Sequence, residues 1–422
     1  MPTLSDKLKS LGVKIGAQNL PPPQSRSSYS IEKVVPGAPL ETPQGETYVV
    51  ETRYTVDYHH GRLALRVSAS LQVIADWAGE PHILEIPQQA FAFLDIETTG
   101  LSGGTGTYAF LIGIGRFEGD EFHLAQFFMR DPIEEPAQLF ALEEFLAPCQ
   151  ALVTFNGKAF DAPLLNTRFT AHGWRTPLSG LAHLDLLHLA RRLWRDRLPS
   201  RTLGNLEVQI LGAARLEEDV PGWMIPSLYM EYLRDGDARP LKNVFYHNAM
   251  DVVSLAALFN HMAELLANPF DRAAEHGVDL ISLARLFEDL QDLDSATRLY
   301  VHGLNHPDAV EQRLPEQILL DAIQRLAMIH KRQENLPAAV ALWEQAARHQ
   351  FLDAYIELAK FYEHRLRNYP EAIQWTQSAI AVVQTPGFPA YERRQWLPEL
   401  EHRLTRLQRK LAKVSPGEDD II

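Results

Sequence analysis

The sequence predicts an α/β domain followed by an all-α repeat domain, and three observations carry this prediction. Strand-like apolar runs occupy residues 91–96, 108–117 and 121–129. Helical and strand patterns then alternate up to residue 266, and only helical periodicity remains after Pro269. Each helix and each sheet must bury an apolar face against a partner, so strands followed by alternating helices and strands fit a layered α/β sheet.

The elements follow in chain order. Residues 1–45 include PPPQSRSS and show little hydrophobic periodicity, so we expect a disordered or loosely attached N-terminal arm there. Residues 46–88 alternate apolar and polar side chains, which predicts a strand-rich extension. The α/β domain itself is placed at 89–268. Its expected helices and short strands are 134–146, 151–155, 160–172, 182–186, 186–197 and 245–266.

Three segments beyond residue 278 resemble one another. Each has Leu-Ala in a first helix and an alanine about one turn into a second, and the pairs are Ala284 with Ala296, Ala327 with Ala339, and Ala359 with Ala372. Small residues let two helices cross closely, so the sequence predicts tetratricopeptide-like repeats over 278–413, followed by an acidic tail at 414–422. Such stacks usually bind a protein partner but also brace enzymes, and we favour partner binding.

Three acidic motifs carry the chemistry of the α/β domain. They are FAFLDIETTGLSGG with Asp95 and Glu97, ALVTFNGKAFDAPLL with Asp161, and NVFYHNAMDVVSL with Asp251. Side chains two residues apart on a strand share a face, so Asp95 and Glu97 should point the same way. Four carboxylates at one point repel each other unless cations neutralise them, and their oxygens suit two Mg²⁺ or Mn²⁺ ions. Two such ions support phosphodiester hydrolysis.

These motifs resemble the DEDD, or DnaQ-like, 3′–5′ exonucleases of the ribonuclease-H-like fold over roughly residues 89–266. The family pattern Asp-x-Glu-Thr-Thr/Ser-Gly is matched from Asp95 to Gly100, and the second motif is matched by Asn156, Phe160 and Asp161. The third motif places a His or Tyr shortly before the last Asp. The residue patterns of the second and third motifs, followed in the chain by helical repeats, are similar to those of the bacterial YprB-type branch.

The resemblance implies a metal-dependent 3′–5′ exonuclease that uses two divalent ions. It favours DNA as the substrate, in a repair context and with a helicase as the protein partner. An RNA-processing exonuclease is the first alternative. The second alternative is a non-catalytic scaffold, a degenerate nuclease fold whose repeats recruit partners. Loss of a ligand acid would favour the scaffold, and all four acids are present in this sequence.

The general base must be chosen between two neighbours. The histidine branch of the family commonly places its base five residues before the final Asp and the tyrosine branch four, whereas here Tyr246 stands five before Asp251 and His247 four. A helical step of four residues turns by about 40° and brings His247 over Asp251, whereas Tyr246 points away. Imidazole also accepts a proton near neutral pH, unlike tyrosine. We therefore predict His247 as the base and Tyr246 as a packing or supporting residue.

Other residues of the motifs are candidates for binding substrate or supporting the acids. By resemblance, Leu101 could wedge against a terminal base, although ordinary packing explains it equally well. Asn156 and Lys158 stand where a phosphate could be held. Asp185 matches a strand-to-helix Asp of relatives and is expected to support the ligands or to cap the helix rather than to bind metal. The substrate-binding candidates within the matched motifs also include Thr98 and Phe160.

Composition limits the mode of binding. The 422 residues carry 40 Lys and Arg against 54 Asp and Glu, a net charge of −14, so binding of nucleic acid must be local. The segment ARRLWRDRLPSR sets Arg191 and Arg195 beside Trp194, which could track phosphates and stack on a base. An amphipathic helix with solvated arginines explains the same pattern, and both interpretations stay open.

Composition also limits the location of the protein. The single cysteine, Cys149, excludes an internal disulfide and a cysteine zinc cluster. We expect a cytoplasmic protein, because its start lacks a secretory apolar core. Membrane association is not expected, because no uninterrupted apolar run is long enough to span a bilayer.

Overall fold

The computed structural model describes residues 29–55, 57–100, 106–215, 219–272, 276–311 and 313–414. Contacts between residues divide the chain into two compact units. The first unit contains the residues up to Ala190 together with Ser200–Ala267, and the second contains Arg191–Pro199 together with the residues from Asn268 onward. The fold is therefore a mixed α/β unit and an all-helical unit, as the sequence predicts.

A seven-stranded sheet forms the centre of the first unit, in the order β1-β2-β7-β6-β5-β8-β9. The β5–β8 and β8–β9 pairs are parallel and the other pairs are antiparallel. A separate hairpin joins β3 and β4. The strand bounds are β1 (Ala38–Thr42), β2 (Gly45–Thr55), β3 (His59–His60), β4 (Leu63–Ala64), β5 (Phe91–Thr98), β6 (Ala109–Glu118), β7 (Glu121–Phe128), β8 (Ala151–Thr154) and β9 (Ala182–Asp185).

Helices cover both faces of this sheet. One buried cluster joins β5 and β6 to α3 and α4, and another joins β6 and β7 to α7 and α8. Along β7, Ala125 and Phe127 enter the first cluster and Phe128 enters the second, which follows from the two-residue period of a strand. The helix bounds up to residue 267 are α1 (Ile31–Val34), α2 (Gln72–Ala78), α3 (Glu135–Leu146), α4 (Asp161–Ala171), α5 (Leu186–Trp194), α6 (Leu203–Leu206), α7 (Ile225–Asp235) and α8 (Leu241–Ala267).

The N-terminal residues belong to the sheet more fully than the sequence predicts. Within the expected disordered arm, residues 38–42 form β1, and β1 pairs with β2. Strand β2 then pairs with β7 from Tyr48 opposite Phe128 to Thr55 opposite Glu121. The arm prediction is thus wrong for the part that the structure describes, and the predicted extension is continuous with the α/β domain. Residues 1–28 lie outside the described residues.

Helix α8 bears on the expectation that the chain does not associate with a membrane. By length and composition, its 27 residues are apolar enough to cross a bilayer. However, 72% of its most apolar window is buried inside the protein. A helix that is apolar on most sides is expected in the core of a large domain, so the composition of α8 is explained by its packing between the sheet and its neighbours.

The second unit consists of paired helices. The six alanines of the predicted repeats are all buried, with at most 1% of each residue exposed. These close contacts allow helices to pack in pairs, such as α13 with α14 and α15 with α16. The helix bounds are α9 (Pro269–Arg272), α10 (Gly277–Asp289), α11 (Leu293–Leu304), α12 (Pro307–Val310), α13 (Glu316–Arg332), α14 (Leu336–Arg348), α15 (Leu352–His364), α16 (Tyr369–Gln384) and α17 (Ala390–Val414). The predicted tail beyond 414 lies outside the described residues.

The arginine-rich segment changes the predicted domain boundary. Residues 191–199 belong to the helical unit, where Arg197 Nε lies 3.0 Å from Asp279 Oδ2 and Arg192 forms an ion pair with Asp289. The α/β domain is therefore not the continuous range 89–268. Ion pairs formed with residues about 80–100 positions away leave no periodic signal in a sequence, so the interruption could not be predicted.

Candidate active site

Strand β5 carries two acidic side chains on one face. Leu94 and Ile96 are buried in the cluster with α3 and α4. Asp95 and Glu97 alternate with them and point to the opposite face, toward α8. The Glu97 side chain is only 13% exposed. The strand period therefore places two carboxylates close together in a largely buried position.

Helix α8 brings a histidine and a third acid to these carboxylates. His247 Nε2 lies 3.5 Å from Asp251 Oδ2, one helical turn later, and 4.0 Å from Glu97 Oε1. One donor atom from each of the three side chains fits within 4.8 Å of the others, a spacing that could hold a metal ion. The four-residue step between His247 and Asp251 produces this geometry, because it returns to the same helical face.

Asp161 is the first residue of α4, which follows β8, the parallel neighbour of β5. Its carboxylate interacts electrostatically with Asp95, Glu97 and Asp251. A side chain at Gly157 would put its Cβ 2.5 Å from Thr154 Cβ and 2.8 Å from Asp161 Oδ2, so this turn requires glycine. We call Asp95, Glu97, Asp161 and Asp251 the acid cluster.

Asp185 supports the turn before Asp161. Its Oδ1 accepts hydrogen bonds from the backbone N–H groups of Asn156, at 2.8 Å, and Leu187, at 3.1 Å. Its Oδ2 accepts one from the N–H of Lys158 at 3.1 Å. Asn156 adopts a left-handed φ of 66°, which is unusual for a residue with a side chain. Asp185 thereby fixes a strained turn directly beside the acid cluster.

Burial and mutual repulsion disfavour the charged forms of these acids. Burial raises the pKa of Asp95 well above its usual range, and the charges of Asp251 and Glu97 add to the effect. Burial, Asp251 and Asp161 also raise the pKa of Glu97 well above its usual range. The pKa of Asp161 rises to about 7 through burial and the nearby Asp185 and Asp251. Burial raises the pKa of Asp251 too, although Arg215 and His247 oppose that rise.

This arrangement fits divalent cations. The acid cluster offers carboxylate oxygens, the ligands that Mg²⁺ and Mn²⁺ prefer. The pKa of Asp251 is raised even though Arg215 and His247 both oppose the rise, so these two side chains compensate the negative charge only in part. Bound cations would favour the ionised carboxylates and remove this penalty. The acid cluster could hold them directly, with His247 beside it.

Comparison with known proteins places these residues in a family. The RNase_H superfamily model matches residues 92–263, a range that contains the acid cluster and His247. The protein described as uncharacterized protein YprB, from Bacillus subtilis (strain 168), is 32% identical over 373 residues, which cover 85% of this chain and 85% of YprB. The chain belongs to the same family as YprB. Its α/β unit is accordingly a nuclease-like domain of the RNase H superfamily.

The motifs do not predict three further residues of this YprB-family chain that lie near His247 and Asp251. These are Glu207, Arg215 and Asp219, and we call them the supporting network. Arg215 forms two bonds to Glu207, with Nε 2.5 Å from Oε2 and Nη2 2.7 Å from Oε1. It also pairs with Asp251 and lies 3.2 Å from Asp219 Oδ2 through Nη1. No motif marks these residues, because the chain has 54 acidic residues and the three lie in a connection without periodicity.

Glu207 is buried within a π-helical turn, Glu207–Leu211. Its Oε1 accepts a hydrogen bond of 2.5 Å from the hydroxyl of Ser254, which also lies 2.8 Å from His60 Nε2. Several partners therefore hold the carboxylate that binds Arg215. A buried carboxylate with this many hydrogen bonds keeps its position more firmly than an unpaired one.

Asn248 is a second feature that sequence reasoning missed. Its Nδ2 donates to Asp95 Oδ2 at 2.9 Å and to the Asp95 carbonyl at 3.1 Å, while its Oδ1 accepts from Gln126 Nε2 at 2.9 Å. A Cβ at Gly113, opposite Asp95 in the sheet, would lie 2.2 Å from Asn248 Oδ1. Gly113 therefore leaves the space in which Asn248 holds Asp95.

A cleft of about 540 Å³ lies beside Asp161. The predicted substrate residues Thr98, Asn156 and Phe160 line it, and Phe160 is 55% exposed although it is aromatic. Lys158 is exposed nearby. An exposed ring beside polar groups offers a base both a stacking surface and hydrogen-bond partners.

The structure does not bring every candidate to the acid cluster. Tyr246 interacts electrostatically with Tyr54 and Tyr58, and so contributes to the raised pKa values of both. Arg191 and Arg195 are exposed residues of the helical unit, and their predicted contact with nucleic acid stays a prediction. Leu101 lies outside the described residues.

Proposed function

We propose that this protein is a metal-dependent 3′–5′ exonuclease of the DEDD type that hydrolyses phosphodiester bonds in nucleic acid. The observation that carries the proposal is the meeting of four partly buried carboxylates with His247, whose Nε2 lies 3.5 Å from Asp251 Oδ2. Membership of the RNase H superfamily supports nucleic-acid cleavage in general. The direction of digestion rests on the motif resemblance described above.

Different side chains have different roles in this reaction. Two divalent ions held by the acid cluster would supply activation of the attacking water and stabilisation of the charge that develops on the phosphoryl group. His247 takes the proton of the attacking water at Nε2, the ring nitrogen that faces Glu97 and Asp251. Phe160 and Asn156 bind the terminal nucleotide in the cleft beside Asp161.

DNA, in a repair context, is our first choice of substrate, and this choice rests on resemblance to the YprB-type branch. The paired helices of the second unit support a tetratricopeptide-like surface for a protein partner, which we propose to be a helicase. We also propose a cytoplasmic location. The non-catalytic scaffold is the weaker candidate, because all four acids are present and lie close enough for their charges to interact.

Digestion of end-labelled oligonucleotides tests the proposal. DNA and RNA, single- and double-stranded, are each labelled at the 5′ or the 3′ end and incubated with Mg²⁺, Mn²⁺ or a chelator. We expect a ladder from 5′-labelled substrate, release of mononucleotide from 3′-labelled substrate, and no cleavage with chelator. Asp161→Asn is the control for contaminating nucleases. A protein that binds these substrates but leaves all of them intact with either metal would support the scaffold instead.

A further inference from the structure

The ring of His247 has a second carboxylate partner outside the three motifs. Its Nδ1 lies 2.7 Å from Asp219 Oδ1, while its Nε2 faces Glu97 and Asp251 on the other edge. The side chains of His247 and Asp219 are 15% and 22% exposed. The imidazole therefore bridges the acid cluster and Asp219, a residue 28 positions earlier in the chain.

The role of His247 depends on which ring nitrogen carries the proton. A neutral imidazole has one N–H and one bare nitrogen, and the contacts of one nitrogen decide the state of the other. If Nδ1–H donates to Asp219, Nε2 is bare and can accept a proton beside Glu97 and Asp251. If Arg215 Nη1, at 3.0 Å, donates to Nδ1, the proton sits on Nε2 and that nitrogen cannot act as a base.

The contacts of Asp219 and Arg215 favour the first arrangement. The distance from Nδ1 to Asp219 Oδ1, 2.7 Å, is shorter than the 3.0 Å to Arg215 Nη1, and a hydrogen bond to an ionised carboxylate is the stronger kind. Arg215 Nη1 also has another acceptor, Asp219 Oδ2, at 3.2 Å. An ionised carboxylate only accepts, so Asp219 can receive Nδ1–H and the guanidinium together without conflict.

Arg215 is held independently of His247. Its Nε and Nη2 bind the buried Glu207 in a two-bond arrangement, which fixes the plane of the guanidinium. Nη1 is thereby directed to the region between His247 and Asp219. The supporting network thus presents Asp219 to the histidine from a rigid, buried anchor.

The geometry points to Asp219 as a positioning residue that holds His247 with its proton on Nδ1, leaving Nε2 bare toward the acid cluster. Arg215 and Glu207 hold Asp219 in place. The consequence for catalysis rests on the nuclease function proposed above, whereas the state of the ring does not. An ion pair that merely stabilised the connection before α7 would fix Arg215 but would leave the choice of ring nitrogen open.

NMR of the intact protein with ¹⁵N-labelled histidine rings tests the state of the ring. Two-bond nitrogen–proton correlations distinguish a neutral ring protonated on Nδ1 from one protonated on Nε2. The chain has 16 histidines, so the His247 signals are assigned by their loss in His247→Asn. The spectra are recorded with Mg²⁺, which is diamagnetic, and at a pH where the chemical shifts show a neutral ring. We expect Nδ1–H in the wild type and Nε2–H or a mixture in Asp219→Asn, because an amide can donate to Nδ1.

Single-turnover cleavage gives the second measurement. The corresponding Asp→Asn change in a serine-protease triad costs about 10⁴-fold through the wrong tautomer. We expect Asp219→Asn to lower the cleavage rate by about 10²–10⁴-fold with little change in KM, and Asp219→Glu to restore part of the rate. Asp120→Asn, at a side chain that is 85% exposed on the β6–β7 turn, is the matched control and should leave the rate unchanged.

The outcomes separate this inference from the proposed function. A wild-type His247 signal with the proton on Nε2 overturns the role of Asp219, whatever the activity. An Nδ1–H signal that is unchanged in Asp219→Asn overturns it as well, as does a full cleavage rate in that variant. If the wild type cuts none of the substrates, yet the ring state responds to Asp219→Asn as expected, the positioning stands and the nuclease function fails.

Discussion

Each unit of the protein contains carboxylates that are largely shielded from solvent: Glu363 in the helical unit and the acid cluster in the α/β unit. The two differ in how far nearby cations balance the negative charge. In the helical unit, the side chain of Glu363 is fully buried but lies 2.8 Å from Arg406, 2.9 Å from Lys410 and 3.3 Å from Arg403. Burial raises the pKa of Glu363, but the hydrogen bonds from Lys410 and Arg406 outweigh burial, so that its pKa is lowered. In the acid cluster, burial and repulsion outweigh Arg215 and His247, and the pKa values are raised.

This difference shows that a structural carboxylate is distinguished from a functional one by how fully nearby cations balance its charge, and not by burial alone. Glu363 joins α15 to α17 and has its full complement of cations, so it fits a structural role. The acid cluster lacks sufficient cations of its own, a state that proteins retain where a ligand or a reaction needs it. The following five predictions test and extend this comparison.

The largest effect is expected from removing one ligand acid. Asp161→Asn should lower the rate of metal-dependent cleavage by about 10³-fold or more, because the charge that holds the cations and stabilises the transition state is reduced. Without metal, the variant should unfold at the same temperature as the wild type or higher, since a buried, repelled carboxylate is gone. Single-turnover assays and calorimetric melting measure the two effects.

Glu363→Gln is the matching change at a carboxylate whose charge is balanced by cations. It should lower the free energy of unfolding by about 1–3 kcal/mol, less than a fully buried pair loses because Arg406 and Lys410 are themselves about 40% exposed. Its cleavage rate should equal that of the wild type. If Asp161→Asn destabilised the metal-free protein as Glu363→Gln does, the contrast between the two sets would fail.

Replacement of the proposed base should have the next largest effect. His247→Ala should lower the single-turnover rate by about 10²–10⁴-fold while substrate affinity changes little, since the loss is of proton transfer. Tyr246→Phe should stay within a few-fold of the wild type, because Tyr246 interacts with Tyr54 and Tyr58 instead. The reverse ranking of these two variants would show that the tyrosine is the base.

A smaller effect, a loss of metal affinity, is expected when the hydrogen bonds from Asn248 to Asp95 are disturbed. Gly113→Ala would place a Cβ against Asn248 and displace the amide that holds Asp95, so affinity for Mn²⁺ should fall by about 10–100-fold. Gly204→Ala has open space at its Cβ and serves as the control. Titration calorimetry with Mn²⁺ measures both variants, and equal affinities would contradict a supporting role for Asn248.

The smallest effect concerns stability and pH. The folded pKa of Asp161 is about 7 and its usual value is 3.8, so the folded state binds the extra proton between these values. The stability of the metal-free wild type, relative to Asp161→Asn, should therefore decrease as pH rises through this window. Bound Mg²⁺ should raise the melting temperature more at about pH 8 than at about pH 5, because ligands must be ionised. Equal shifts at both pH values would argue against cation binding by the acid cluster.

Much of this architecture follows from short-range patterns in the sequence. The apolar run that ends at Asp95 predicts β5, and the order of the later helices and strands is close to that observed. The two-residue period of a strand places Asp95 and Glu97 on one face, and the four-residue step of a helix places His247 over Asp251. These relations hold within a single element, so no knowledge of the fold was needed.

Contacts between distant segments could not be obtained in this way. Strand β1 lies within a segment with little apolar pattern and is stabilised by pairing with β2 in the complete sheet. The segment 191–199 leaves the α/β unit because its arginines pair with acids of α10. Pairing between strands and ion pairs of high sequence separation depend on the whole fold, and they leave no local periodicity.

By itself, the sequence determined the fold class, the faces of β5 and α8, and which acids and which histidine were worth considering. Only the tertiary structure decided that Asp219 contacts His247 and that Asn248 holds Asp95. It also decided that cations lower the pKa of Glu363, whereas burial and neighbouring acids raise that of Asp161. The physical reason is that charge interactions and desolvation depend on distances and burial in space. Those quantities exist only after the chain has folded.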